Sequence, residues 1–355
     1  MQLVTFERRE TQGGPDHPEA RAKLAEVALA FETLEFSRPG TQRLGALIPP
    51  GPRSGDVIDL NRALAAKLAL EDVGAPEAEA DSLLPSDMLL FLRHGENALE
   101  QARIAFTWAI DALERYDAPD LVRASVALPR RGVKLCAPVP RPGKLIAIKH
   151  NYVGLDAAHG KAAHRQPPEF HLEAPSSVIG PDDEIVIPSS VSRLDYGGGL
   201  AVVIGRTARG VSAEEALDFV AGYTVVNDLL ALGGSRGQRS VAGSRDTFSP
   251  LGPALLTADG VSDPQDLSLR TTVSGTLRQD ARTKEMIHPV SELIAFASGL
   301  MTLEAGDLLL TGTPTGTGAS SDPPRLLRDG DVVDVEIDRI GRLRNYVRSE
   351  AVAAR

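Results

Sequence analysis

With 355 residues, 42% of them hydrophobic and 24% charged, the chain can bury a sizeable core and is too apolar for general disorder. Its 48 acidic against 38 basic residues leave a formal net charge of −10, a mean field that repels nucleic acid and anionic membrane surfaces. The opening MQLVTFERRE has no apolar run ahead of its charges and no stretch reaches membrane-spanning length, so a cytoplasmic protein without membrane or nucleic-acid partners is expected.

In chain order, residues 1–138 read as a small α+β domain. Short strands are expected over 3–6 and 44–48, each followed by helix. Leu24, Val27, Ala28, Phe31 and Leu34 recur at helical spacing within 18–35. A further helix over 97–116 carries a wide apolar face that includes Trp108, the only tryptophan. The run CAPVPRPG from Cys136 cannot sustain helix and marks a boundary. As the single cysteine, Cys136 excludes an intrachain disulfide framework and a cysteine-rich zinc site, and its setting reads as a packed thiol.

Residues 139–355 read as a second, mainly β domain, with short strands broken by Gly and Pro at 145–148, 184–187, 200–204, 223–226, 267–273, 308–311 and 332–337. Two helices are expected to interrupt them. The first is opened by Ser212 with Glu215 three residues on, a capping-box spacing, and the second covers 290–300.

The strings RPGKLIAIKHNY, PSSVIGP, LDYGGGLAVVIGR, FVAGYTVVND, DTFSPLGP, LRQD, TLEAGDLLLTGTPTGTG and LRDGDVVDVEI stand in one order across residues 140–347. Together they resemble the fumarylacetoacetate hydrolase superfamily, and the first domain is similar to the smaller module that precedes the catalytic one in many members. The resemblance implies an α+β protein with a mixed β-roll in the large domain and a homodimeric assembly. It also implies an enzyme that cleaves or rearranges C–C bonds beside the carbonyls of oxo-acids or β-diketones. Family members use Mg²⁺ or Mn²⁺ to polarise the oxo-acid.

Against that pattern the sequence departs at the chemistry. Of the three metal-binding carboxylates only Asp228 remains; Gly197 and Gly199 stand where alternate strand positions would aim two glutamates at the ion. The usual His and Glu after the tyrosine are Leu155 and Ala158. Glu173 stands for a lysine and Gly243 for another. No protein metal-ligand set and no cofactor is therefore expected, with weak Mg²⁺ or Mn²⁺ binding through Asp228 as the residual metal reading.

Candidate catalytic residues are His159, one helical turn beyond Leu155, His150 at a strand end, and Asp228. The resemblance carries substrate binding to Tyr152, Glu173, Tyr223, Arg278, Gln279 and Thr313. Gly197 to Gly199 read either as a close backbone approach or as an enlarged pocket. Three functions stay open. One is a metal-independent lyase, isomerase or cyclase on a carbonyl-rich small molecule. The second is a C–C hydrolase or decarboxylase with a reduced metal site, and the third a non-catalytic binding or dimer partner.

Overall fold

In the computed structural model, which describes residues 1–8, 42–115, 126–154, 166–233 and 243–350, the chain divides into two units, Met1–Cys136 and Ala137–Arg355. The helix expected over 18–35 lies outside the described residues.

The first unit is an antiparallel sheet with three helices. Its strands are β1 (Gln2–Arg8), β2 (Arg43–Leu47), β3 (Val57–Asp59), β4 (Ala127–Leu128) and β5 (Val133–Cys136), in the order β4-β3-β2-β1-β5. The helices are α1 (Leu60–Leu70), α2 (Pro76–Leu83) and α3 (Met88–Arg115). Helix α3 changes direction at Gly95, whose φ of 66° suits a residue without a side chain. Asp59 begins α1 by accepting from the Arg62 N–H at 3.1 Å, satisfying one of the donors that a helix start leaves free. The same carboxylate takes Arg43 through Nε at 2.5 Å and Nη2 at 3.1 Å, which ties β2 to the helix start.

The second unit is mainly β. One sheet contains β6 (Leu145–Lys149), β7 (Glu169–Glu173), β8 (Val178–Ile179), which pairs in parallel with β14, β11 (Gly198–Ile204), β12 (Val220–Asn227), β14 (Ser249–Thr257) and β17 (Leu308–Leu310). Its main path is β14-β12-β11-β17-β6-β7, antiparallel except at β17–β6, where Leu308 to Leu310 run alongside Leu145 to Ala147. Asp307 seats that parallel pair: its carboxylate accepts from Lys144 N at 2.8 Å and from Glu304 N at 2.7 Å, with Lys144 Nζ at 2.7 Å.

The other sheet contains β9 (Glu184–Ile187), β15 (Ser268–Val273), β16 (Thr276–Arg282), β18 (Val332–Ile337) and β19 (Gly341–Ser349), in the order β16-β15-β18-β19-β9. Short strands β10 (Leu194–Asp195) and β13 (Leu230–Ala231) pair with each other. Helix α4 (Val290–Leu300) completes the unit.

Every residue of β11 is buried, which explains its unbroken apolar run Leu-Ala-Val-Val-Ile. In β18 Val333, Val335 and Ile337 are buried and alternate with Asp334 and Glu336, the pattern of a strand with one wet face. Both sheets and α4 feed one apolar core, including Leu200, Val202, Val225, Leu269, Val335 and Leu293. Each fully buried side chain of this kind contributes roughly 1.5–3 kcal/mol.

The helix expected after Ser212 is a correction. Ser212 Oγ accepts from Glu215 N at 3.3 Å and donates to Glu215 Oε2 at 3.2 Å, but only a 3-10 turn, Ala216–Phe219, follows. Strand β12 begins at Val220, and its Val-rich run gains more from pairing with β11 and β14 than a helix would gain from one more turn.

Replacing Asp59 by alanine removes the cap and leaves the Arg43 guanidinium without its carboxylate partner. The Asp59→Ala variant is expected to lose about 3–5 kcal/mol, read as an earlier urea midpoint in a melt followed by circular dichroism.

Candidate functional site

Alternation along β7 puts His171 and Glu173 on one face. Glu173 is buried, and its carboxylate is held from two sides: Ser249 Oγ donates to Oε2 at 2.9 Å and His171 Nε2 lies 3.2 Å from Oε1. Ser249 is in turn 2.7 Å from Ser177 Oγ, which donates to Ala174 O at 2.7 Å. Ser244 Oγ accepts from Ala174 N at 3.1 Å and donates to Leu172 O at 3.3 Å, fixing the end of the strand. Gly243 leaves room for the carboxylate, because a Cβ there would run into Glu173 Oε1.

Asp228 follows the last residue of β12, with its N–H donating to Gly197 O at 2.8 Å. Its carboxyl lies within hydrogen-bond reach of the Glu173 carboxyl. Burial pushes the Asp228 carboxyl well above the usual carboxylate range, and the neighbouring Glu173 charge and hydrogen bond push it further. Among the described residues neither acid has a lysine or arginine ion partner, and the His171 imidazole is in contact with Glu173. Two carboxyls so placed repel each other when both are ionised, which is the second cause of the upward push on Asp228.

The glycine segment beside this pair is a close approach and not an enlarged pocket. A Cβ at Gly197 would lie 2.9 Å from Asp228 O and 3.2 Å from Thr313 Cγ2, and one at Gly199 would lie 2.6 Å from Gly312 O. A Cβ at Gly198 would meet Thr271 Oγ1. Gln279 bridges the same backbone, accepting from Gly198 N at 3.0 Å and donating to Thr313 Oγ1 at 2.8 Å and Pro314 O at 2.9 Å. Thr313 Oγ1 donates to Gly198 O at 2.8 Å, so its hydroxyl is fully engaged. Among the described residues the Thr313 N–H has no partner, which leaves the amide free to meet a ligand oxygen.

The same contacts test a metal at this place. The family's donor set needs two carboxylate side chains at positions occupied by Gly197 and Gly199, and the space where such side chains would start is filled by Thr313, Gly312 and Asp228 backbone. Among the described residues no group of three or more His, Cys, Asp or Glu is arranged to hold an ion. The residues present do not fit the family's metal centre.

Of the other sequence-derived candidates, Tyr152 is fully buried, with its hydroxyl near Thr311, and burial raises its pKa. Tyr223 is buried in β12; burial raises its hydroxyl, and the charge that adds to the effect is Asp263's. Arg278 is half-buried with its Nε enclosed and unpartnered among the described residues. Its charge acts on Tyr196, whose hydroxyl donates to Gly316 O at 3.1 Å and is pushed up to about 12 by burial. His150 is exposed, with φ of 52°, just beyond the Lys149–Glu169 pair. Glu173 faces Leu145 at the other end of that ladder, roughly 13 Å of strand away. His159 lies outside the described residues.

Sequence reasoning selected Glu173 and Asp228 separately and missed that they meet. It counted His171 only among a cluster of histidines that could supply an acid or base, and it passed over Ser249. The alternation in EFHLE was a usable signal for His171; Ser249, 76 residues from Glu173, offered none.

The family model for the C-terminal region of fumarylacetoacetate hydrolase matches residues 144–348. The chain is 36% identical over 326 residues to the mitochondrial oxaloacetate tautomerase fahd2 of Xenopus laevis, covering 90% of this chain and 91% of that protein. It is 37% identical over 269 residues to the oxaloacetate tautomerase YisK of Bacillus subtilis, covering 74% and 87%. Among solved structures, maleylpyruvate hydrolase from Sphingobium sp. SYK-6, in complex with manganese(II) and pyruvate, superposes with a TM-score of 0.65 at 28% identity, over 99% of this chain and all of the other.

The raised Asp228 value sets a direction for stability. The unfolded chain releases this proton near its ordinary value of 3.8 and the folded chain holds it to higher pH, so stability falls as pH climbs through that window. Asp228→Asn removes the loss, and its Tm is expected to exceed that of the parent by roughly 2–4 °C at about pH 8 and to match it near pH 4; differential scanning calorimetry across pH checks this.

Proposed function

The chain belongs to the fumarylacetoacetate hydrolase family, a family of isomerases and hydrolases, and from that premise we propose that it is a metal-independent isomerase moving a proton between carbon and oxygen of a small carbonyl compound. The observation that carries this reading is the approach of the Asp228 carboxyl to the Glu173 carboxyl, beside a glycine segment too closely packed for side chains.

A keto–enol shift needs a base at the α-carbon and an acid at the carbonyl oxygen. Glu173, as carboxylate, takes the α-proton while the C–H electron pair moves into the forming C=C bond. Asp228, as carboxylic acid, delivers its proton to the oxygen that gains charge. Glu173 is then protonated and Asp228 ionised, and a proton passing across their own hydrogen bond restores the pair without a co-reactant. The free Thr313 N–H is suited to hold a carbonyl or carboxylate oxygen during the shift. Ser249 and His171 keep Glu173 in place. The bulk of this function as isomerase accords with relatives that are named tautomerases.

The neighbour that holds manganese(II) and pyruvate favours a second reading, a C–C hydrolase or decarboxylase that recruits Mg²⁺ or Mn²⁺ weakly through Asp228. Deuterium uptake separates the two. In D₂O with excess EDTA, the full-length chain is expected to exchange the α-protons of pyruvate or acetylacetone, followed by proton NMR. Asp228→Asn and Glu173→Gln are each expected to slow that exchange by about 10²–10⁴-fold. Exchange that appears only on adding Mn²⁺ would favour the second reading, and exchange unaffected by both substitutions would sink the first.

A further inference from the structure

Beyond β17 the chain leaves the sheet, and from Gly312 to Thr317 no backbone N–H donates to another backbone group among the described residues. Side chains from other elements hold this segment instead. Gln279 donates to Thr313 Oγ1 at 2.8 Å and to Pro314 O at 2.9 Å, and the Tyr196 hydroxyl donates to Gly316 O at 3.1 Å. Asp195 takes the far end, accepting from Ala319 N at 3.1 Å and from the Gly318 amide and the Thr317 hydroxyl. The Gln279 amide has one possible orientation, because Gly198 N can only donate to it and Pro314 O can only accept from it. Its Oε1 therefore faces Gly198, and both of its N–H bonds are spent on Thr313 and Pro314. The Thr313 hydroxyl, already an acceptor, gives its own proton to Gly198 O at 2.8 Å. With every proton of this group directed, the backbone N–H is what Thr313 can still offer a ligand.

The planar peptide that carries this N–H is gripped on both sides. Gly312 O, on its other edge, lies so near β11 that a Cβ at Gly199 would stand 2.6 Å from it, and just beyond, Thr313 Oγ1 and Pro314 O are held by one amide. Gln279 itself is 1% exposed and has no N–H left to give, so it meets no ligand. We infer that Gln279 is a positioning residue: it sets, through Thr313, where the free N–H meets a ligand oxygen. The inference rests on the proposed role of that N–H in holding a carbonyl or carboxylate oxygen, and it replaces the direct substrate contact that the sequence resemblance implies for Gln279. A donor fixed in advance needs no reorganisation when charge develops on the oxygen it holds. Loosening Thr313 therefore weakens binding and slows the reaction although no contact to the ligand has been removed.

A double-mutant cycle on the full-length chain in EDTA tests it, with pyruvate as the probe and its affinity read by calorimetry. Gln279→Met and Thr313→Val, which keeps the N–H, are each expected to weaken binding by about threefold to tenfold. Either substitution made on top of the other is expected to add about twofold or less. Tyr196→Phe, which frees only Gly316 O, is expected to combine additively with Thr313→Val. Urea midpoints are measured alongside, since a role in stability alone would move those and leave the affinity of the folded chain unchanged. Thr313→Ser keeps the hydroxyl that Gln279 holds and is expected to bind at least about twofold more tightly than Thr313→Val, a comparison that stands even if Gln279→Met does not fold. Undiminished binding in folded Gln279→Met, full additivity of Gln279→Met with Thr313→Val, equal affinities in the two Thr313 variants, or no binding of pyruvate by the parent chain would overturn the inference. Coupled losses of binding without deuterium exchange would defeat the isomerase reading alone. Exchange that Asp228→Asn and Glu173→Gln slow, with additive effects at Gln279 and Thr313, would defeat this one alone.

Discussion

At Gly197, Gly198 and Gly199 the backbone of β11 and its approach comes so near to its neighbours that no side chain can stand there. On one side lie Asp228 O and the Gly312–Thr313 turn, and on the other Thr271 and Gln279 of the second sheet. The contact therefore joins the end of β12, the turn after β17 and the β15–β16 hairpin through a single stretch of chain. Gln279 completes it by satisfying Gly198 N, Thr313 Oγ1 and Pro314 O together, which suits a buried amide that would cost free energy if left unpaired. The position of Asp228, and with it the site, follows from this packing.

Beside this packing Glu173 comes against Asp228, and Gly243 leaves the room that its carboxylate occupies. The contacts with Ser249 and His171 give the Glu173 carboxylate a fixed orientation.

Much of the second unit was legible because its strands obey local rules. Val332 to Ile337 alternate, and Leu200 to Ile204 form the continuous apolar run of a strand covered on both faces. Strand β7 was harder, since Glu-Phe-His-Leu-Glu has too little apolar contrast, and β14 begins Ser-Pro, which argues against a strand. The Ser212 cap was correctly seen and its helix was not there, because capping is a local signal and the pull of β12 on Val220 is not. At the site, identities could be read but meetings could not: Glu173 and Asp228 are 55 positions apart, since 228 − 173 = 55, and nothing local announces that the two acids will meet. The glycines illustrate the same limit, for a missing side chain leaves undecided whether its space is empty or occupied.

The parallel pairing of β6 with β17 has a bearing on how the chain is made. Lys144 and Asp307, which close that pair, are 163 residues apart, and β9 finds its parallel partner β19 across a comparable span, Glu184 facing Tyr346. Contacts of such separation are slow to form because a long loop must close before they yield any gain. During synthesis β6 and β9 leave the ribosome well before the strands they will lie beside, with apolar edges open. The second unit can therefore acquire its native sheet only after nearly all of it has been translated, which makes the last two strands the step that commits the molecule to its fold.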